Sequence, residues 1–102
     1  MSQEAYIFDS IRSPRGKGKN GSLNELTAVS LSARVLSKLK ERNNLDTANI
    51  EDVIWGNVTQ VGEQGGCLAR SAVLAANYSE STPGLSINRF CASGLEAVNL
   101  AS

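Results

Sequence analysis

The sequence predicts an α/β fold in which parallel strands alternate with helices. Three β-prone segments of the 102-residue chain are separated by two segments whose apolar residues recur with helical spacing, and a third helical segment follows the last strand. This order is typical of βαβ units, whose parallel strands are joined by right-handed crossovers. The length and the 41% hydrophobic content suit one small globular domain.

A long loop separates the first predicted strand from the first predicted helix. Ala5–Ile11 is β-prone, and Ser13–Gly16 ends it. The helix is predicted over about Thr27–Arg42, where basic side chains in the last turn suit the negative end of the helix dipole and Asn43-Asn44 follows as a stop signal. Its apolar residues share one face: Val29, Ala33, Leu36 and Leu39.

The second strand and the second helix are predicted over Asp52–Val58 and Cys67–Tyr78. Gly56 interrupts the strand, either as a weak point or as a place where another backbone approaches closely. Gly62–Gly66 is predicted to be a turn or loop. Cys67 is predicted to be a small apolar filler at the start of the helix, because a free cysteine most often serves as packing.

The third strand is predicted over Leu85–Phe90, and a helix of small and apolar residues begins near Ala92. That helix meets no Gly or Pro stop signal before Ser102, and a helix so apolar is normally buried in something larger. We therefore expect residues 1–102 to be part of a longer domain.

Composition and charge argue against several functional classes. Ten Lys and Arg residues balance ten Asp and Glu residues, so no overall field favours nucleic acid. No apolar run is long enough to cross a bilayer and no signal peptide is recognisable, so we expect no membrane insertion and a cytoplasmic location. Two cysteines and no histidine argue against a metal site or a disulfide framework. The missing histidine also removes the commonest catalytic base.

The loop after the first strand is basic and rich in glycine. Its cationic residues either form a solvated surface or bind a phosphate-bearing ligand or a neighbouring subunit: Arg12, Arg15, Lys17 and Lys19. A nucleotide-binding P-loop requires Lys directly after its second Gly. Here Ser22 follows Gly21 directly, which excludes a nucleotide-hydrolysing role.

The junction between the third strand and the third helix carries the candidate chemistry. Cys91 follows the strand directly, and the small residues Ala92, Ser93 and Gly94 leave room for a thioester carbonyl beside its sulfur. A helix N-terminus stabilises a thiolate, and its N–H groups can bind a developing oxyanion. Cys91 is therefore the candidate nucleophile, with inert packing as the alternative role that the local pattern leaves open.

Four segments resemble motifs of the thiolase family, in the family's order and at appropriate separations. Asn88–Ala97 resembles the acyl-enzyme motif around the nucleophilic cysteine, and Ile11–Gly16 resembles the Arg-Thr-Pro turn with Ser in place of Thr. Asp52–Val58 resembles the family's second strand, and Gly62–Ala72 resembles its glycine loop and Ala-Arg-x-Ala helix. Ketoacyl synthases also place a cysteine at this turn. Arg12-Ser13-Pro14 and Ala69-Arg70-Ser71-Ala72 favour thiolase instead.

The resemblance implies a layered α/β/α architecture, of which this chain holds the first three strands and their helices. It implies an acyltransferase in which Cys91 takes an acyl group from 3-ketoacyl-CoA or acetyl-CoA, with its backbone N–H as an oxyanion donor, and passes the acyl group to CoA or acetyl-CoA. The family's His base and second Cys would lie beyond these residues, so the chain alone is expected to be inactive. Coenzyme A is then a substrate, no cofactor is permanently bound, and a homo-oligomer is expected. Degradative and biosynthetic members share these motifs.

A non-catalytic alternative is an interaction or lipid-binding module derived from a thiolase scaffold. The absence of histidine favours this alternative. The apolar helix without a stop signal favours a piece of an enzyme instead.

Overall fold

The computed structural model describes residues 3–102, which contain three α-helices and one two-stranded sheet. In chain order these elements are α1 (Ala28–Asn43), β1 (Ile54–Gly56), α2 (Leu68–Ala75), β2 (Leu85–Ile87) and α3 (Ser93–Ala101), with single 3₁₀ turns at Thr47–Asn49 and Gly62–Gln64. Within this described part of the chain, every helix is too short or too polar to span a bilayer.

The two strands lie side by side and parallel, and α2 connects them. Two backbone hydrogen bonds extend the pairing beyond the strand ends: the Leu85 N–H donates to the Val53 carbonyl (2.8 Å), and the Asn57 N–H donates to the Ile87 carbonyl (2.9 Å). A parallel pair joined by a helix is the predicted βαβ unit. The α/β class is thereby confirmed.

The predicted first strand, Ala5–Ile11, does not join the sheet, so the expectation of three paired strands is wrong. Among residues 3–102 the sheet contains β1 and β2 alone. Tyr6, Ile7 and Phe8 are 69%, 80% and 94% exposed. The β propensity of such residues reflects packing against neighbouring strands. No strand of the described residues lies beside this segment, so its side chains have no neighbouring strand to pack against.

Helix α1 begins and ends within one residue of its prediction. Thr27 caps its N-terminus, where Oγ1 accepts a hydrogen bond from a first-turn N–H (3.0 Å). Asn44 ends it in the left-handed conformation, with φ of 49°. The last turn also fixes the N-terminal segment, because Arg42 and Asn43 donate to the Asp9 carboxylate at 2.8 and 2.7 Å.

The hydrophobic core lies where α1 packs on α2. It consists of Ala33, Leu36, Ala72, Val73, Ala76 and Tyr78, with Trp55 of β1 partly buried against it. The Tyr78 hydroxyl donates to the Leu36 carbonyl (2.8 Å), so the buried phenol has a partner. Helix α2 ends earlier than predicted, since the chain turns at Asn77, where φ is 58°.

Both strands are shorter than predicted, and each is followed by an asparagine whose side chain bonds to the backbone. After β1, the buried Asn57 donates from Nδ2 to the Gln64 carbonyl (3.0 Å). After β2, the Oδ1 of Asn88 accepts a hydrogen bond from the Phe90 N–H (2.8 Å). Local side-chain bonds of this kind offer the backbone an alternative to the ladder. The second one opens the turn that carries Cys91.

Candidate active site

Cys91 lies in a tight turn between β2 and α3. The residue before it, Phe90, has φ of 51°. This left-handed conformation costs a non-glycine residue about 1–2 kcal/mol. The Asn88 side chain opens the turn through its bond to the Phe90 N–H. The turn persists only if other contacts offset the cost at Phe90.

The Ser93 hydroxyl supplies two of these contacts. Ser93 is buried, with 5% of its surface exposed. Its Oγ donates to the Phe90 carbonyl (2.6 Å) and accepts a hydrogen bond from the Arg89 N–H (2.8 Å). One side chain therefore bridges the peptide group before Arg89 and the peptide group after Phe90. The two residues that precede Cys91 are held between these bonds.

The sheet approaches the start of α3 most closely at Gly56. A Cβ atom on Gly56 would lie 2.6 Å from both the Gly94 nitrogen and the Ser93 carbonyl carbon. Of the two interpretations of Gly56, close backbone approach is therefore confirmed. This contact places the N-terminus of α3, and with it the Cys91 turn, directly against the end of β1.

Cys91 is exposed and lies directly before Ala92, the N-cap residue of α3. The neighbouring N–H groups of Ala92 and Ser93 are already bonded, to the carbonyls of Arg89 and Phe90, both at 3.1 Å. These two donors are therefore occupied by the turn itself and are not offered to an oxyanion. The Cys91 N–H as an oxyanion donor stays a prediction.

One ion pair flanks the turn. The Nε atom of Arg89 lies 3.7 Å from Oε2 of Glu96, in the first turn of α3. A carboxylate in this position also suits the positive end of the helix dipole. Because the Arg89 side chain is 66% exposed, the pair contributes at most about 1 kcal/mol to stability.

The second thiol, Cys67, occupies a different environment at the N-cap of α2. It is half-buried, and its Sγ donates to the Gly84 carbonyl (3.3 Å) and contacts the Ser86 hydroxyl (3.8 Å). Burial raises the pKa of the Cys67 thiol, but hydrogen bonds from Arg70, Ser86 and Ala69 outweigh burial and leave that pKa below its ordinary value. Cys67 is therefore a hydrogen-bonded thiol as well as a packing residue.

The basic loop borders a cavity that the Cys91 turn does not line. Its four predicted cations are exposed, and the Arg12 guanidinium donates to the Ser13 carbonyl (3.4 Å). Arg12 borders a half-open cavity of about 450 Å³ between the loop and α1, together with the α1 cations Arg34, Lys38 and Arg42. No residue of the Cys91 turn lines this cavity.

Comparison with known proteins identifies the scaffold that carries this turn. The profile described as "Thiolase, N-terminal domain" matches residues 5–102. The chain belongs to the thiolase family. Its match begins at Ala5 and includes the Cys91 turn, so the predicted family resemblance is confirmed over nearly the whole sequence.

Among the individual proteins that this chain resembles are several named 3-ketoacyl-CoA thiolase. The chain is 43% identical over 101 residues to the one from Pseudoalteromonas atlantica and 39% identical over 100 residues to the one from Acinetobacter baylyi. The protein from Shewanella loihica is also 43% identical over 101 residues. In each case the alignment covers 98% of this chain and 26% of the relative. The chain thus spans about a quarter of the length of these relatives.

Sequence reasoning proposed Cys91 as the nucleophile but missed three features around the two thiols. These are the left-handed Phe90, the bridging hydroxyl of Ser93, and the contact of Ser86 with Cys67. Asn88 was the available signal for the first, because Asn commonly bonds the backbone N–H two residues later. The other two contacts join separate elements or depend on φ at Phe90, and no spacing in the sequence specifies them.

Proposed function

We propose that this chain is the nucleophile-bearing part of a thiolase, an acyl-CoA acyltransferase in which Cys91 forms an acyl-cysteine intermediate. The observation that carries the proposal is the exposed Cys91 thiol on the turn between β2 and α3, in a chain of the thiolase family. Exposure matters because a CoA thioester is bulky, and the sulfur must reach its acyl carbon.

The reaction divides into two acyl transfers. In the degradative direction the Cys91 thiolate attacks the 3-keto carbon of 3-ketoacyl-CoA. The bond between carbons 2 and 3 breaks, and acetyl-CoA leaves after its carbon 2 takes a proton. The thiolate of free CoA then attacks the acyl-cysteine and restores the Cys91 thiolate. In the biosynthetic direction the Cys91 thiolate attacks the thioester carbon of acetyl-CoA, and the CoA thiolate leaves. Carbon 2 of a second acetyl-CoA then loses a proton and attacks the acyl-cysteine, and the Cys91 thiolate leaves as acetoacetyl-CoA forms.

The proton transfers in this scheme need groups that these 102 residues do not hold. The sequence contains no histidine, and its other cysteine precedes the nucleophile. A His base and a second Cys supplied by further residues of a longer protein complete the site. By itself, the 102-residue chain is expected to catalyse no thiolysis of acetoacetyl-CoA.

An apolar surface on α3 supports the same proposal. Leu95 and Val98, three residues apart on one face of this helix, are 65% and 53% exposed. A helix face this apolar is normally buried. In the proposed complete protein it is covered by further residues of the domain or by a second subunit, in line with a homo-oligomeric, cytoplasmic enzyme that uses CoA as a substrate and binds no permanent cofactor.

The test uses a hybrid protein in which this chain replaces the matching quarter of the Pseudoalteromonas atlantica relative. A short pulse of acetyl-CoA, acid quench and peptide mapping should find the acetyl group on the Cys91 peptide. Cys91→Ala should abolish acetylation and thiolysis, whereas the matched variant Cys67→Ala should retain most of both. Acetyl on Cys67, or turnover by the Cys91→Ala hybrid, would overturn the assignment.

The absence of histidine also favours a second candidate, a non-catalytic interaction or lipid-binding module. The same acetyl-CoA pulse distinguishes the acyltransferase from the non-catalytic candidate. A hybrid that binds acetyl-CoA but never carries acetyl on cysteine, under conditions where the unmodified relative does, would support the non-catalytic candidate.

A further inference from the structure

Ser93 is a buried polar residue directly after the Cys91 turn. It is buried at the first residue of α3, and its hydroxyl both donates and accepts a hydrogen bond. The other end of the helix offers a direct comparison. There the exposed Ser102 hydroxyl donates to the Asn99 carbonyl, three residues earlier, at 2.8 Å. Ser93 makes the same bond to Phe90, but it also accepts a bond from Arg89.

Packing does not explain why Phe90 keeps its left-handed conformation. Its side chain is 75% exposed, so the phenyl ring is largely free of contacts that could hold the backbone. A non-glycine residue with positive φ persists only when its surroundings determine it. Around Phe90 those surroundings include three hydrogen bonds to side chains: the Phe90 N–H donates to Asn88, and the Ser93 hydroxyl makes the other two. The backbone N–H groups of Ala92 and Ser93 also donate to the Arg89 and Phe90 carbonyls.

We propose that Ser93 is a positioning residue for acylation, because its hydroxyl fixes Phe90 in the left-handed turn and thereby sets where the Cys91 thiol stands. This proposal rests on the proposed function for its catalytic part. Its geometric part stands alone, since the bonds at Arg89 and Phe90 are present whatever Cys91 does.

The step that depends on this placement is attack on the acyl carbon. Nucleophilic attack requires a sulfur aligned close to the carbon, and a displacement of about 1 Å can cost about a hundredfold in rate. Binding of the CoA portion does not involve the Phe90 turn in this proposal. Loss of the Ser93 hydroxyl should therefore slow acylation and leave KM for acetyl-CoA nearly unchanged.

The geometric part is tested in the 102-residue chain by amide hydrogen exchange, measured by NMR. Ser93→Ala should make the Arg89 amide exchange about threefold to tenfold faster, the usual worth of one protein hydrogen bond. The Phe90 amide, which bonds to Asn88, should also exchange faster because the turn opens. Exchange in the middle of α1 should not change, and Ser102→Ala should leave both turn amides as they were. Unchanged exchange at Arg89 in Ser93→Ala would refute the bond on which the proposal depends.

The catalytic part is tested in the hybrid protein by the pre-steady-state rate of acetyl transfer to Cys91. Ser93→Ala should slow acetylation at least about tenfold with little change in KM. Phe90→Gly/Ser93→Ala should recover much of the loss, because glycine adopts positive φ without the steric cost. A rise in KM with an unchanged acetylation rate, or a double variant no faster than Ser93→Ala, would overturn the positioning role.

The two proposals fail in different ways. If Cys91 is never acetylated in the unmodified hybrid, the proposed function is wrong, while the exchange result at Arg89 remains valid. If Cys91 is acetylated and Ser93→Ala is acetylated equally fast, the proposed function stands and the positioning role is wrong.

Discussion

The close contact between Gly56 and the start of α3 predicts that one added methyl group at Gly56 will lower the free energy of unfolding. In Gly56→Ala the new Cβ would lie 2.6 Å from the Gly94 nitrogen and the Ser93 carbonyl carbon, where ordinary contact begins at 3.4 Å. All the close atoms belong to the backbone, so no side-chain rotation relieves the clash. Overpacking of this kind costs about 1–3 kcal/mol. Reduced freedom of the unfolded chain returns about 0.4–1 kcal/mol. Taking about 2 kcal/mol for the clash and about 0.7 kcal/mol for the returned freedom, the middles of these ranges, the net loss should be about 1.3 kcal/mol of unfolding free energy.

Urea unfolding measures this loss. The probe is the fluorescence of the single tryptophan, Trp55, which is the residue next to the substitution. The midpoint should fall by about 1 M, given the slope expected for a domain of this size. Gly94→Ala is the matched control across the same contact, because its Cβ would meet nothing within 4 Å. It lies inside α3, where alanine is favoured over glycine by about 0.5–1 kcal/mol, so it should stabilise. Shifts of the same sign and size in both variants would refute the reasoning.

Three further predictions concern single side chains. Tyr78→Phe should lower the unfolding free energy by about 1 kcal/mol in the same urea assay, because it removes the buried hydroxyl bond to α1. Asp9 has a lowered pKa, chiefly because Asn43 donates a hydrogen bond to its carboxylate. The contribution of Asp9 to stability should therefore be present above pH about 3.9 and should disappear as the pH falls through its lower folded pKa. Asp9→Asn should remove this pH dependence of the unfolding free energy. The lowered pKa of Cys67 should give an alkylation profile, followed by peptide mapping, with its midpoint below that of the same cysteine in the urea-unfolded chain, and Ser86→Ala should move that midpoint upward.

How far the fold followed from sequence depended on whether an element's signals were local. Helix α1 was placed within a residue, because its cap, its apolar face and its terminal asparagines are all local signals. The β-prone segment Ala5–Ile11 was misjudged, since a strand also requires a neighbour and propensity does not supply one. The end of β2 was set by Asn88, whose side-chain bond to the Phe90 N–H offers the backbone an alternative to the ladder.

The candidate site shows the same division between local and non-local information. The helix dipole applies to both cysteines, because each lies at the start of a helix, and so it cannot choose between them. The structure separates them by environment: Cys67 lies against Gly84 and Ser86, whereas the Cys91 thiol is exposed. The lowered pKa of Cys67 raises its thiolate fraction. Attack on a CoA thioester also requires the sulfur to reach a bulky substrate, and half-burial against β2 denies this to Cys67. Because access differs in this way, a small alkylating reagent should modify both thiols, while acetyl-CoA should acylate Cys91 alone.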